Sequence, residues 1–143
     1  MTTQMTSAYG ATLARLSLGT VLLAHGLLKV LVFTIPGTVG FFASLGLPAL
    51  AAYLVIFGEI FGGVALILGV YSRLTALLSM PILIGALWTH IGNGWLFSNE
   101  GGGWEFPLLL IALAGMVALL GNGAFALRQL PVVDGLILSA LKS

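Results

Sequence analysis

The chain has no cysteine and very little charge. Of its 143 residues, 6% are Asp, Glu, Lys or Arg, against roughly 25% in an ordinary soluble domain. The first absence excludes disulfides, thiolate metal sites, cysteine-ligated iron–sulfur clusters and dithiol relays as properties of this chain. The second argues against a water-soluble fold, because so few polar residues cannot cover so much apolar core. Five Lys and Arg, scattered singly, leave a net charge of +1. Neutralising phosphates needs clustered cations, so no nucleic-acid partner is expected. Glycine-rich phosphate loops, nucleophile elbows and haem-type paired histidines are missing as well.

What remains is hydrophobic, at 59% of residues. Four apolar runs, near Leu13–Phe33, Pro48–Gly69, Leu74–Ile91 and Phe106–Leu120, approach the roughly 20 helical residues that cross a hydrocarbon core about 30 Å thick. The last is short and extends at most backward through Glu105. The expected fold is all-α: a polytopic membrane protein forming one domain over residues 1–143, a four-helix transmembrane bundle with the lipid bilayer as its solvent. The first run is too long for a cleavable signal peptide and is interrupted by His25 and Lys29. Thr34–Leu47 suits a short interfacial helix ended by Gly46 and Pro48. The tight link Val70–Arg73 makes the second and third spans antiparallel neighbours. Gly92–Trp104, with five glycines, is expected to be a flexible interfacial loop, and Leu136–Leu141 a peripheral tail. Arg15, Arg73, Arg128 and Lys142 fall on one side if the chain alternates, which predicts an N-in/C-in topology; Trp88, Trp95 and Trp104 gather at the opposite interface.

The informative residues are the ionisable ones inside apolar runs: His25, Lys29, Glu59, His90 and Glu105. A charge at the bilayer centre costs roughly 2.5–3.5 kcal/mol on the insertion scale, so pairing or function must offset it. Lys29 lies fourteen residues after Arg15 and Glu59 fourteen before Arg73, which places both about 21 Å from the same side at about 1.5 Å per residue. By the same count His90 lies at about 25 Å, Glu105 at about 22 Å and His25 at about 15 Å, so separate helices deliver polar groups to one layer. Arg15, Leu18, Leu22, His25 and Lys29 share a helix face. Gly58 and Gly62 flank Glu59 as a small-xxx-small pair that admits a neighbouring backbone, and Pro81 is expected to kink the third span.

Each residue also has a structural explanation. Lys29 and Glu59 form a buried registry pair as readily as a site, and Lys29 can instead snorkel to the surface. Glu105, ahead of Pro107, suits a helix start; His90 suits interfacial hydrogen bonding beside Trp88; Gly58 and Gly62 suit plain packing; Arg73 suits an orientation anchor. Two His and two Glu are the right types for zinc or iron, but no two share a helix face at ligand spacing, so neither metal nor haem is expected.

Arg15…His25-Gly26…Lys29, Gly46-Leu47-Pro48, Gly58-Glu59…Gly62-Gly63…Gly69…Arg73, then His90 and Gly102-Gly103-Trp104-Glu105, in this order and spacing, resemble the DoxX family of four-helix bacterial inner-membrane proteins. The resemblance runs from about Arg15 to Leu127. It implies a multi-pass inner (plasma) membrane subunit related to the thiosulfate:quinone oxidoreductase small-subunit group, with quinone as the implied cofactor. On that basis His25, Lys29, Glu59 and His90 are the candidate catalytic residues, and Glu105, Trp88, Gly58 and Gly62 the candidate ligand-binding ones. His25 or His90 would donate to a quinone carbonyl while Glu59 handles protons, with the isoprenoid tail in a wedge between helices. With no redox centre of its own in the sequence, such a chain needs a redox partner subunit or takes electrons directly from substrate. The competing expectation is a solute or proton path, formed by a homo-oligomer if at all, or a scaffold for a partner protein.

Overall fold

The computed structural model describes residues 2–127 and 136–142; Arg128, one of the expected orientation anchors, lies outside the described residues. Five α-helices follow one another: α1 (Thr3–Leu31), α2 (Ile35–Ser44), α3 (Ala49–Leu68), α4 (Ser72–His90) and α5 (Glu105–Leu120). Among the described residues no strand element occurs.

Three stretches are long and apolar enough to cross a membrane: Thr3–Leu31, Ala49–Leu68 and Ser72–Asn93. The fourth run is helical as expected and does begin at Glu105, but its 16 residues extend only about 24 Å at about 1.5 Å each. Among the described residues there are therefore three helices of spanning length and two shorter apolar ones, α2 and α5. The expected interfacial segment is the separate helix α2, started by Thr34, whose hydroxyl accepts the Gly37 N–H at 3.3 Å. Thr38 of α2 donates to the Lys29 carbonyl at 3.0 Å, so one of the orphan carbonyls in the last turn of α1 is satisfied from across the turn. Between α3 and α4 the chain reverses within three residues, Gly69 taking the left-handed conformation that ends α3. Helix α4 continues through Pro81 to His90. Leu136 and Leu138 are exposed, and the short 3-10 turn Ser139–Leu141 rests on α4, so the tail is peripheral.

The four longer helices touch in a closed cycle: α1 on α3, α3 on α4, α4 on α5 and α5 back on α1, while α2 leans on α3 and α1. Leu18 and Leu22 of α1, Leu66 of α3, Leu83 of α4, and Ala114 and Val117 of α5 form the shared core. The outside is lined with large apolar side chains, including Leu13, Leu54, Phe57, Phe61, Leu78 and Leu119, while Arg15 and Glu59 are buried. Lipid explains that inversion: acyl chains are as apolar as leucine, so helices associate through close packing and internal polar contacts rather than by hiding leucines.

Close packing is strongest where α1 crosses α3. A methyl group on Gly63 would stand 2.6 Å from the Leu23 nitrogen and 2.8 Å from the Gly19 carbonyl, and one on Gly26 would stand 3.1 Å from Glu59 Cβ. Bare backbone is the only surface that fits there. The pair singled out in the sequence, Gly58 and Gly62, faces α4 instead. Gly58 abuts Ile82, and Gly62 has only ordinary contacts with Ser79 and Thr75 at 3.7 Å. The glycines that admit a neighbouring helix beside Glu59 are thus Gly26 and Gly63.

Arg15, expected to mark a membrane surface, is 1% exposed. Its Nε donates to the Asn122 carbonyl at 2.9 Å, one Nη to the carbonyls of Leu66 and Ile67 (2.7 Å to the latter), and the other to that of Ala124 at 3.2 Å. Leu66 and Ile67 end α3, where carbonyls lack helical partners and the dipole is negative, so a guanidinium is the natural cap. Arg15 pins α1, the end of α3 and the segment after α5 together.

Candidate functional site

The Lys29 end of α1 is built differently. Lys29 Nζ donates to Glu59 Oε1 at 2.9 Å and Oε2 at 2.8 Å, a two-pronged ion pair between α1 and α3. The equal depths counted from Arg15 and Arg73 in the sequence correspond to this contact. Gly26, one turn before Lys29, lets the Glu59 side chain lie directly on α1. The carboxylate is buried and the ammonium is half-buried, so in this apolar setting each neutralises the other's desolvation.

Beside the pair opens a cavity of about 480 Å³ between α1, α3, α4 and α5, lined by His25, Lys29, Glu59 and His90 together with apolar groups such as Leu22, Leu83 and Leu110. Small-molecule sites generally occupy roughly 300–1,000 Å³ and combine apolar walls with a few convergent polar groups. Phe106 of α5 stacks on the His25 ring, with centroids 6.1 Å apart. A second, more apolar cavity of about 240 Å³ lies between α2, α3 and α4, walled by Phe41, Phe42, Val55 and Trp88 and bordered by Lys29, Glu59 and His90. The ion pair and His90 therefore separate a mixed cavity from an apolar one.

Each histidine is anchored by its own helix. His25 Nδ1 lies 2.8 Å from the Val21 carbonyl and His90 Nδ1 2.7 Å from the Ala86 carbonyl, both one turn back. His25 is nonetheless exposed, and it lines the cavity.

The loop of residues 92–104 closes the first cavity through Phe97, Gly102 and Gly103. It was expected to be flexible, yet it is laced to itself. Asn93 Nδ2 donates to the carbonyls of Gly101 and Gly102 at 3.0 and 2.9 Å. The Trp104 N–H donates to Gly94 and the Glu105 N–H to Trp95, each at 3.1 Å. Trp95 and Trp104 meet edge to face at 4.5 Å. Its glycines serve tightness: a methyl on Gly103 would collide with the Trp95 and Leu96 carbonyls at 2.4 and 2.2 Å.

The structure thus brings His25, Lys29, Glu59 and His90 to one cavity that the other candidates do not line. Glu105 lines neither of those two cavities. Its Oε1 accepts the Phe97 N–H at 2.7 Å, and it faces a different hollow with Trp95 and Phe97, so it fastens the loop to the start of α5. Trp88 borders only the apolar cavity, while Gly58 and Gly62 pack on α4 and border neither. Sequence reasoning missed Phe106, Gly26 and the lid glycines Gly102 and Gly103. The histidine anchors did have a signal, since a helical histidine can reach the carbonyl four residues back. Among the described residues, no group of three or more His, Asp or Glu is placed to hold a metal ion.

Comparison with known proteins agrees with the membrane architecture. A Bacillus subtilis (strain 168) protein named "Putative oxidoreductase CatD" is 34% identical over 118 residues, which cover 82% of this chain and 84% of that protein. No solved structure matches the chain. Residues 10–92, which hold the Arg15 pin, the Lys29–Glu59 pair and both histidines, match the DoxX family, and the chain belongs to that family.

Proposed function

We propose that this protein is a multi-pass subunit of the bacterial inner membrane, with α5 as the fourth span of an N-in/C-in four-helix bundle, and that its larger cavity binds the ring of a quinone in the outer half of the bilayer. The single observation that carries the reading is the convergence of both histidines and the Lys29–Glu59 pair on one cavity of about 480 Å³ whose other walls are apolar. A quinone is an amphiphile of matching kind: polar atoms on a flat ring and an isoprenoid tail suited to the apolar cavity beside it. The residues fit such a group chemically, through Phe106 and the leucines for the ring faces and the four polar side chains for its oxygens.

When bound, the quinone supplies the redox chemistry. The chain orients the ring, excludes water with the laced loop, and holds protons at the imidazoles and at Glu59, the last kept in place by Lys29. Electrons come from a redox partner subunit or from the reduced substrate itself. The relative named as an oxidoreductase supports this class of function.

The test is extraction of the protein from its native membrane, followed by quantification of co-purified quinone. Wild type is expected to carry it, and His25→Ala and Glu59→Gln to lose it. A second reading draws on the ion pair bordering both cavities, as a group along a solute or proton path would. Quinone-free protein that supports solute flux in proteoliposomes would establish that reading instead.

A further inference from the structure

The hydrogen bonds of the two histidines fix which form of a ring ligand the cavity prefers. A backbone carbonyl only accepts, so the contacts of His25 Nδ1 with Val21 O at 2.8 Å and of His90 Nδ1 with Ala86 O at 2.7 Å put the ring proton on Nδ1 in both residues. In the neutral form of either imidazole, Nε2 then carries a lone pair and can only accept. Glu59, ion-paired, is also an acceptor. Lys29 directs two donors at Glu59 Oε1 and Oε2, which leaves one N–H of its three. The titratable groups lining the cavity therefore present acceptors at His25, His90 and Glu59 against a single free donor at Lys29.

The geometry points to a site that selects the dihydroxy form of a benzenoid ring over its dicarbonyl form, an inference that rests on the proposed binding of a quinone-type ring. Two phenolic O–H groups match the two Nε2 lone pairs, and the remaining Lys29 N–H matches a phenolic oxygen. A dicarbonyl ring carries no donor and would leave both lone pairs unpaired where the bound ring has displaced water, which costs the lost hydrogen bonds. This reverses the donor role that the sequence suggested for His25 or His90.

The experiment uses the full chain purified in detergent, kept anaerobic, with three tail-less probes: trimethylhydroquinone, trimethylbenzoquinone and the dimethyl ether of the former, which keeps the ring but cannot donate. The hydroquinone is expected to bind at least about tenfold tighter than either other probe, equivalent to a rise of about 30 mV in the midpoint potential of the bound two-electron couple. His25→Phe and His90→Phe, which keep a flat ring and delete Nε2, are expected each to reduce that ratio. The wild-type ratio stands as a test even where a variant fails to fold. Equal affinity for hydroquinone and dimethyl ether, or tighter binding of the quinone, overturns the donor selection while leaving ring binding intact. Failure of all three probes to bind overturns both.

Discussion

Helix α1 carries two cations, Arg15 near its middle and Lys29 in its last turn, and the chain uses them in opposite ways. Near the middle the Arg15 guanidinium is spent on the fold: its contacts are backbone carbonyls of Leu66, Ile67, Asn122 and Ala124. Asn122 there also accepts the Ser72 N–H at 3.1 Å, and Thr12 accepts the Ala124 N–H at 2.8 Å. In the last turn Lys29 meets a carboxylate rather than backbone, and two cavities open beside the pair. A cation that satisfies helix ends is structural whatever else the protein does. A cation paired to an acid at the border of a cavity keeps donors and acceptors for something not yet bound.

That contrast can be broken most severely at Arg15. Arg15→Met removes the guanidinium from four carbonyls, two of which keep a second donor in the Gly69 N–H and the Thr12 hydroxyl, and is expected to cost on the order of 3 kcal/mol, read by equilibrium unfolding in detergent. Arg15→Lys should recover only part of this, because a single ammonium cannot reach carbonyls from three segments. In the last turn of α1, Glu59→Leu leaves the Lys29 ammonium without its partner. With Lys29 partly exposed, the expected loss is smaller, about 2 kcal/mol.

Gly63→Val tests the crossing that holds α1 and α3 in register. Its side chain would press on the backbone of Leu23 and Gly19, and about 1–3 kcal/mol of overpacking is expected, whereas Gly62→Ala should lie within about 0.5 kcal/mol of wild type. The double substitution Lys29→Met with Glu59→Leu sharpens the comparison furthest while moving stability least. A buried pair replaced by apolar groups is generally neutral or stabilising, so the thermal midpoint should hold while ring binding disappears. Stability that collapses as it does at Arg15 would make the pair a structural pin of the same kind.

Much of this was legible in the chain itself. Apolar runs and punctuation by Gly46, Pro48 and Gly69 locate the helices, and counting from Arg15 and Arg73 puts Lys29 level with Glu59 because a helix advances uniformly. The role of Arg15 was hidden because its partners are backbone carbonyls of residues more than fifty positions away, and no side-chain pattern announces them. Gly62 and Gly63 are adjacent, so spacing alone could not say which faces α1 and which faces α4. Glu105 shares the depth of the other polar residues but not their side of α5, and depth along an axis carries no information about rotation around it. Glycine content suggested looseness in the loop, whereas Gly94, Gly101 and Gly102 take positive φ to form turns that the Asn93 and Asn99 side chains then tie together.

The most direct measurement fills the cavity without touching a polar group. Ala86 borders both cavities, and Ala86→Phe would occupy the space assigned to the ring. Equilibrium binding of trimethylhydroquinone to wild-type and Ala86→Phe protein, with unfolding followed in parallel, should give loss of binding at an unchanged thermal midpoint. Unaltered binding to the filled variant would contradict the assignment of the ring to this cavity.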